Sequence, residues 1–149
     1  MSQFGSVEMD DDERDVFLGA GGTGVIALGT SGDESPHAVP VSYGYDATEE
    51  VFYFRLAVDA DSEKGELAGR AVTFVTYGHP DDTWQSVVAK GRLRSTTEES
   101  VAIDSLEGLQ QVQIPLVDIF DRPMAEVSFE FFRLDPETLT GRTESATEV

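Results

Sequence analysis

Apolar and polar residues alternate along much of the chain, and the alternation breaks at glycine, proline and acidic clusters, the pattern of strands joined by turns. Asp10 to Leu18 comes first and predicts a short helix, acidic in its first turn, with Val16, Phe17 and Leu18 on its apolar side. The run Gly19 to Gly24 is expected to end that helix as a cap and flexible turn. Strands are then predicted at Val25–Thr30, His37–Tyr45, Val51–Leu56, Val72–Tyr77, Trp84–Ser95 and Ala125–Leu134. In the second of these the odd positions His37, Val39, Val41, Tyr43 and Tyr45 form one face. The turn Asp46 to Glu50 makes a hairpin with the third, which is aromatic at Phe52, Tyr53 and Phe54.

Two further helices are expected between strands. A polar segment from Asp59 to Lys64 opens one that runs to about Gly69, with Ser62 as its N-cap. Thr96 and Glu99 have capping-box spacing, and Val101, Ile103, Leu106 and Leu109 continue as an amphipathic helix, followed by a connector from Ile114 to Pro123. Residues 1–9 and 143–149 are read as flexible ends of a single domain spanning 1–149. Six strands with few helices point to a mainly β fold, an antiparallel barrel whose closure protects strand edges, with a sandwich as the alternative.

Composition adds a strong constraint. The chain has 29 acidic residues against 8 Arg and 2 Lys, a formal net charge of −19, and the acids are spread throughout its length. Such self-repulsion opposes compaction in dilute buffer, but it is screened at molar salt, where the Debye length is about 3 Å. Together with the scarcity of lysine, this favours adaptation to concentrated salt over binding of one basic partner. There is no cysteine, so disulfides, thiolate nucleophiles and cysteine metal sites are excluded. No basic stripe suits nucleic acid, no run reaches membrane-spanning length, and the acidic amino terminus does not resemble a secretory signal. The expected location is cytoplasmic.

Few residues are candidates for chemistry. The segment Gly19-Ala20-Gly21-Gly22-Thr23-Gly24 matches G-x-G-x-x-G, but a helix precedes it and a strand follows, the reverse of the order a dinucleotide site needs. The two histidines, His37 and His79, lack metal-ligand spacing, and no nucleophile constellation or distinct carboxylate pair emerges. Attention falls instead on the rare cations. Arg55 ends an aromatic strand, and Ser62 and Lys64 open a predicted helix whose free N–H groups favour an anion, so the three could hold a phosphate. Alternatively, Arg55 and Lys64 pair on the surface with Asp59, Asp61 and Glu66.

The segments Gly24–Thr30, Pro36-His37-Ala38-Val39-Pro40-Val41-Ser42-Tyr43-Gly44-Tyr45-Asp46, Tyr53-Phe54-Arg55, Ser62-Glu63-Lys64 and Ser86-Val87-Val88-Ala89-Lys90-Gly91 follow each other in characteristic order. In this the chain resembles the pyridoxamine 5'-phosphate oxidase-like family of FMN-binding split barrels, its nitroimidazole-resistance-type branch most of all. Leu134 to Arg142 is similar to the family's closing segment.

The resemblance implies a six-stranded split barrel, a homodimer with FMN at the subunit interface, and flavin-dependent oxidoreductase activity on a small molecule that it does not name. It implies that Val39, Pro40, Val41, Ser42 and Tyr43 run along the flavin ring and offer backbone groups to its polar edge. Phe54 and Arg55 would lie near the ribityl chain and phosphate, Ser62 and Lys64 would bind the phosphate, and Ser86 would face the ring, or Gln85 if the register slips by one. Glu63 stands where many members carry a base, the stretch from Arg55 to Lys64 is a few residues longer than usual, and the substrate-binding arginine and histidine of true pyridoxamine-phosphate oxidases are missing. Vitamin oxidation is therefore not expected. The alternatives are a split barrel using the deazaflavin F420 or haem, or a cofactor-free interaction module. The aromatic residues at Tyr43, Phe52–Phe54 and Phe129–Phe132 independently suggest a shared apolar interface.

Overall fold

The computed structural model describes residues 6–30, 32–58, 67–96 and 128–145. Their elements are β1 (Ser6–Glu8), α1 (Asp11–Leu18), β2 (Gly21–Leu28), β3 (His37–Asp46), β4 (Val51–Val58), β5 (Ala71–Gly78), β6 (Thr83–Ser95), β7 (Ser128–Leu134) and β8 (Thr138–Ser145). The strands run β6-β5-β2-β3-β4-β7, and β7 returns to β6, closing an antiparallel barrel of six strands with β8 and β1 attached outside the ring. The expected barrel is thus what forms, and the sandwich is not. The predicted helix beyond Thr96, the connector after it, and residues 59–66 lie outside the described residues; Leu67–Gly69, where the helix from Ser62 is expected to end, form a turn and not a helix.

The barrel is split because one edge of β6 serves two strands. Thr83–Lys90 pair with β8, whereas Leu93–Ser95 pair with β7. Gly91 sits at the handover. A Cβ there would lie 2.9 Å from Leu134 Cδ1 and 3.1 Å from the Asp135 carbonyl, so the β7–β8 turn closes over this point more tightly than a side chain accommodates without a shift of its neighbours.

The core is the inward face of the six strands. Tyr43, Phe52, Phe54 and Phe74 pack at its centre with ring centroids 4.9 to 6.1 Å apart, surrounded by Ile26, Leu28, Val72, Val87, Leu93 and Leu134. These aromatic residues, together with Tyr53 and Phe132, are buried within one chain. A shared interface would have to be built from other residues than the core aromatics that first suggested it.

Two sequence expectations need correction. Gly19, with φ of +59°, does cap α1, but Gly21 to Gly24 are part of β2 and not a flexible turn. Close approach explains them: a Cβ on Gly24 would come within 2.5 Å of the Val75 carbonyl and 2.7 Å of the Phe74 ring. The polar tail after Leu134 also contains a strand, β8, and β1 pairs with it at Ser6–Glu8.

Helix α1 is fastened to this frame by polar contacts. The Asp10 side chain accepts from the Glu13 N–H, forming the N-cap, and Leu18 is fully buried. The Tyr43 hydroxyl donates to the Leu18 carbonyl at 3.0 Å, and burial raises its pKa. Arg14, 6 % exposed, donates to Asp11, Asp15 and Glu50, while the Tyr45 hydroxyl donates to Asp15 at 2.8 Å. Burial opposes the Arg14 charge, but its hydrogen bonds to Glu50 and Asp15 outweigh that cost, so its pKa is raised and it stays a cation.

Candidate functional site

Strand register decides which candidate residues share a face. Val41, Tyr43 and Phe54 point into the core, so any contact they make with a ligand is through the backbone; Val39 packs half-buried at the same face. Pro40 and Ser42 point outward. Ser42 is the register partner of Arg55, which places the hydroxyl and the guanidinium on one outward face. Ser86 is also outward, partnered by Tyr77 on β5 and Arg142 on β8, while Gln85 takes the opposite face. Arg55 and Ser42 are therefore brought together on the outward face, whereas Phe54 faces the core; Ser86 is on the outward side of the barrel wall three strands away along β3-β2-β5-β6. Ser62 and Lys64 lie outside the described residues.

The β3–β4 ladder stops at Ser42 and Arg55. From His37 to Val41, β3 pairs with β2 alone, while Leu56–Val58 of β4 pair with β7. Among the described residues, the other backbone edge of Val39–Val41 therefore has no strand partner. Pro40, which has no N–H to contribute, suits such an edge. Ser42 is 5 % exposed and Arg55 is half-buried and already engaged by a neighbouring group. An open strand edge, a buried hydroxyl and a half-buried guanidinium form a donor and acceptor set suited to the polar edge of a planar heterocycle and the anion attached to it.

Thr23, Tyr77 and Arg142 border this face and were not singled out from sequence. Thr23 partners Ser42, and its carbonyl accepts from the Thr76 hydroxyl at 2.8 Å beyond the end of the β2–β5 ladder. Reading the glycines as a turn concealed that Thr23 belongs to a strand. Tyr77 and Trp84 are 67 % and 46 % exposed, with the His79 ring tilted against Trp84 at a centroid distance of 4.5 Å. Among the described residues there is no group of three or more His, Asp or Glu placed to hold a metal ion, and no helix is long and apolar enough to cross a membrane.

A closed six-stranded split barrel with an interrupted β3–β4 ladder defines the class. Residues 10–143 match the family model described as pyridoxamine 5'-phosphate oxidase, and the chain belongs to that family. It is similar in structure to an FAD-binding protein from Mycobacterium smegmatis, with 17% identity, TM-score 0.64 and 92% and 97% of the two chains covered. An FAD-binding protein from Mesorhizobium loti gives 19% identity and TM-score 0.60 over 95% and 98% of the chains. A candidate 5-nitroimidazole antibiotic resistance protein from Bacteroides thetaiotaomicron gives 14% identity and TM-score 0.55 over 95% and 89%. No curated protein matches the sequence.

Proposed function

We propose that this chain binds FMN and serves as a flavin-dependent oxidoreductase of the nitroimidazole-resistance-type branch, in the cytoplasm of an organism that keeps concentrated salt inside its cells. The observation that carries the reading is the open edge of β3 beside the Ser42–Arg55 pair, in a chain of the pyridoxamine 5'-phosphate oxidase family. Val39 to Val41 would bind the polar rim of the ring through their backbone, with Ser42 and Ser86 as hydroxyl partners. Arg55, with Ser62 and Lys64, would neutralise the phosphate. When bound, the flavin supplies the electron transfer, and the protein orients it and shelters it from water. The chain's residues do not need to include a dedicated base for this, in agreement with the lack of a constellation in the sequence.

The flavin of two structural neighbours is FAD, so the choice between the two nucleotides belongs to the test. The protein, purified in molar salt, should show flavin absorption or acquire it on adding FMN, and FMN should bind at least as tightly as FAD. Absence of flavin bands and of binding would overturn the reading. A haem or F420 spectrum would replace the cofactor, and a colourless protein that binds none of them would favour an interaction module. Lys64→Ala and Arg55→Ala should each weaken FMN about tenfold or more, the loss of a charge-assisted contact; unchanged affinity would remove these residues from the site. We further propose a homodimer with the flavin at the subunit interface, drawing on the exposed Val25, Tyr77, Trp84 and Phe131. A monomeric mass in high salt would contradict it.

A further inference from the structure

Lysine has been almost eliminated from this chain, yet Lys90 projects from the outward face of β6 without an ion pair or side-chain hydrogen bond among the described residues. It lines a groove of about 310 Å³ together with Ala27, Gly29, Ala71, Thr73, Arg92 and Glu137. The register explains the grouping. Thr73 is the partner of Lys90 and Ala71 of Arg92, while Ala27 is the partner of Thr73, so small side chains lie across the sheet from the two long cations. The Glu137 N–H donates to the Lys90 carbonyl at 2.7 Å, which brings this acid to the same place, although its carboxylate makes no ion pair with Lys90.

The charge here runs against the rest of the protein. Lys90, Arg92 and Arg94 alternate along one face of β6, so a chain of net charge −19 carries three cations in five residues. Arg94 is paired with Asp135, and Arg92 gives one N–H to the Gly69 carbonyl, which holds its guanidinium in place at the groove. Two cations that make no ion pair among the described residues, beside small side chains, are complementary to a compact anion with an organic body, and the volume is at the lower end of ligand pockets. The groove is separate from the proposed flavin face: Lys90 is four residues beyond Ser86 on the same strand, roughly 13 Å away at the usual rise per residue.

We propose that this groove is a second binding site, for a small organic anion, whose phosphate or carboxylate group lies between Lys90 and Arg92 and whose body rests on Ala27, Gly29 and Ala71. Glu137 takes a hydroxyl or amine donor of the same ligand.

The experiment is an amide chemical-shift titration of the full chain, saturated with whichever flavin it binds, at constant ionic strength. Inorganic phosphate and acetate are the two probes, and their relative affinities separate a phosphate ester from a carboxylate ligand. Saturable shifts are expected at residues 27–29, 71–73 and 90–92, with those around Ser42 and Ser86 unmoved. Lys90→Gln should weaken the better probe about tenfold, and Glu137→Gln should tighten it about twofold, as expected for removing an attractive and a repulsive charge. Both substitutions are at exposed positions, and an unchanged amide spectrum outside the groove verifies their folding. Shifts that grow without saturating, that persist in Lys90→Gln, that occur only at the flavin face, or that follow protein concentration instead of probe would each overturn the proposal.

Discussion

The outward face of the barrel has two unlike regions. Over β5 and β6 the sheet behaves as a simple two-sided ribbon: buried and exposed residues alternate, and Tyr77, Trp84, Lys90 and Arg92 stand in solvent. Over β3 and β4 the alternation vanishes. Every residue from Val41 to Asp46 is buried, and Tyr53, on the outward face opposite Gly44, is only 1 % exposed. The first region is a wall with one covered side; the second is covered on both. A strand covered on both sides excludes water from its polar groups, which strengthens any hydrogen bond or charge contact made there, and Ser42 and Arg55 occupy that environment.

The largest test of this contrast is Tyr53→Ala, an outward substitution that should cost about 3–5 kcal/mol in denaturant unfolding, as a core aromatic does. A loss under about 1 kcal/mol would show that the covering layer is loose, since ordinary surface changes stay near ±0.5 kcal/mol. Arg14→Met comes next. It leaves Asp15 and Glu50 facing each other across the α1 junction, and because those carboxylates are partly exposed the expected loss is about 1–3 kcal/mol, below that of a fully buried pair. Asp46 is buried beside Tyr45 and accepts from the Thr48 and Glu49 N–H groups, so Asp46→Ala should cost about 1 kcal/mol by the same measurement.

A smaller effect belongs to acid. Burial works against ionisation of Asp135, but Arg133 and Arg94 hydrogen-bond to it and attract it, and on balance its pKa is lowered. Its stabilisation is thus complete above the unfolded value of about 3.9 and is lost as the pH falls through the lower folded value. The stability difference between the wild type and Asp135→Asn should accordingly be constant at neutral pH and shrink only in strong acid; a difference already shrinking at pH 6 would reject the assignment. On the open wall, Trp84→Ala should change monomer stability by no more than about 0.5 kcal/mol. A larger loss in a dilute, monomeric sample would mean that this face too is covered within one chain.

The strands of both regions were readable in the sequence, and what was not readable lies in β8 and at the start of β2. Apolar runs bounded by turn residues located β3, β4, β5 and β6 within a residue or two, and the acid-first segment Asp10–Leu18 announced α1, because turn and helix-start signals are local to each segment. Thr138–Ser145 is a strand without an apolar stripe: its inner positions include Gly141, against which Met9 packs, so neighbours supply the apolar volume and the period is lost. Gly21 to Gly24 resemble a turn for a related reason. Their missing side chains make room for Phe74 and Tyr43, residues of strands far along the chain.

For the candidate site, the residue types were legible and their arrangement was not. The rare cations and the P-V-S-Y strand drew attention to Ser42, Arg55 and Ser86 through charge economy and family resemblance. Nothing local to β3 or β4 announces that their ladder ends at Ser42 and Arg55, or that Lys90 faces small residues of β2 and β5. By itself the sequence determined the period of two, the helix start, the acidic surface and the shortage of lysine, all properties of neighbouring residues or of composition. The tertiary structure alone decided which strands meet, where their pairing stops and which outward face is covered, because those depend on contacts between residues distant in the chain that no local pattern encodes.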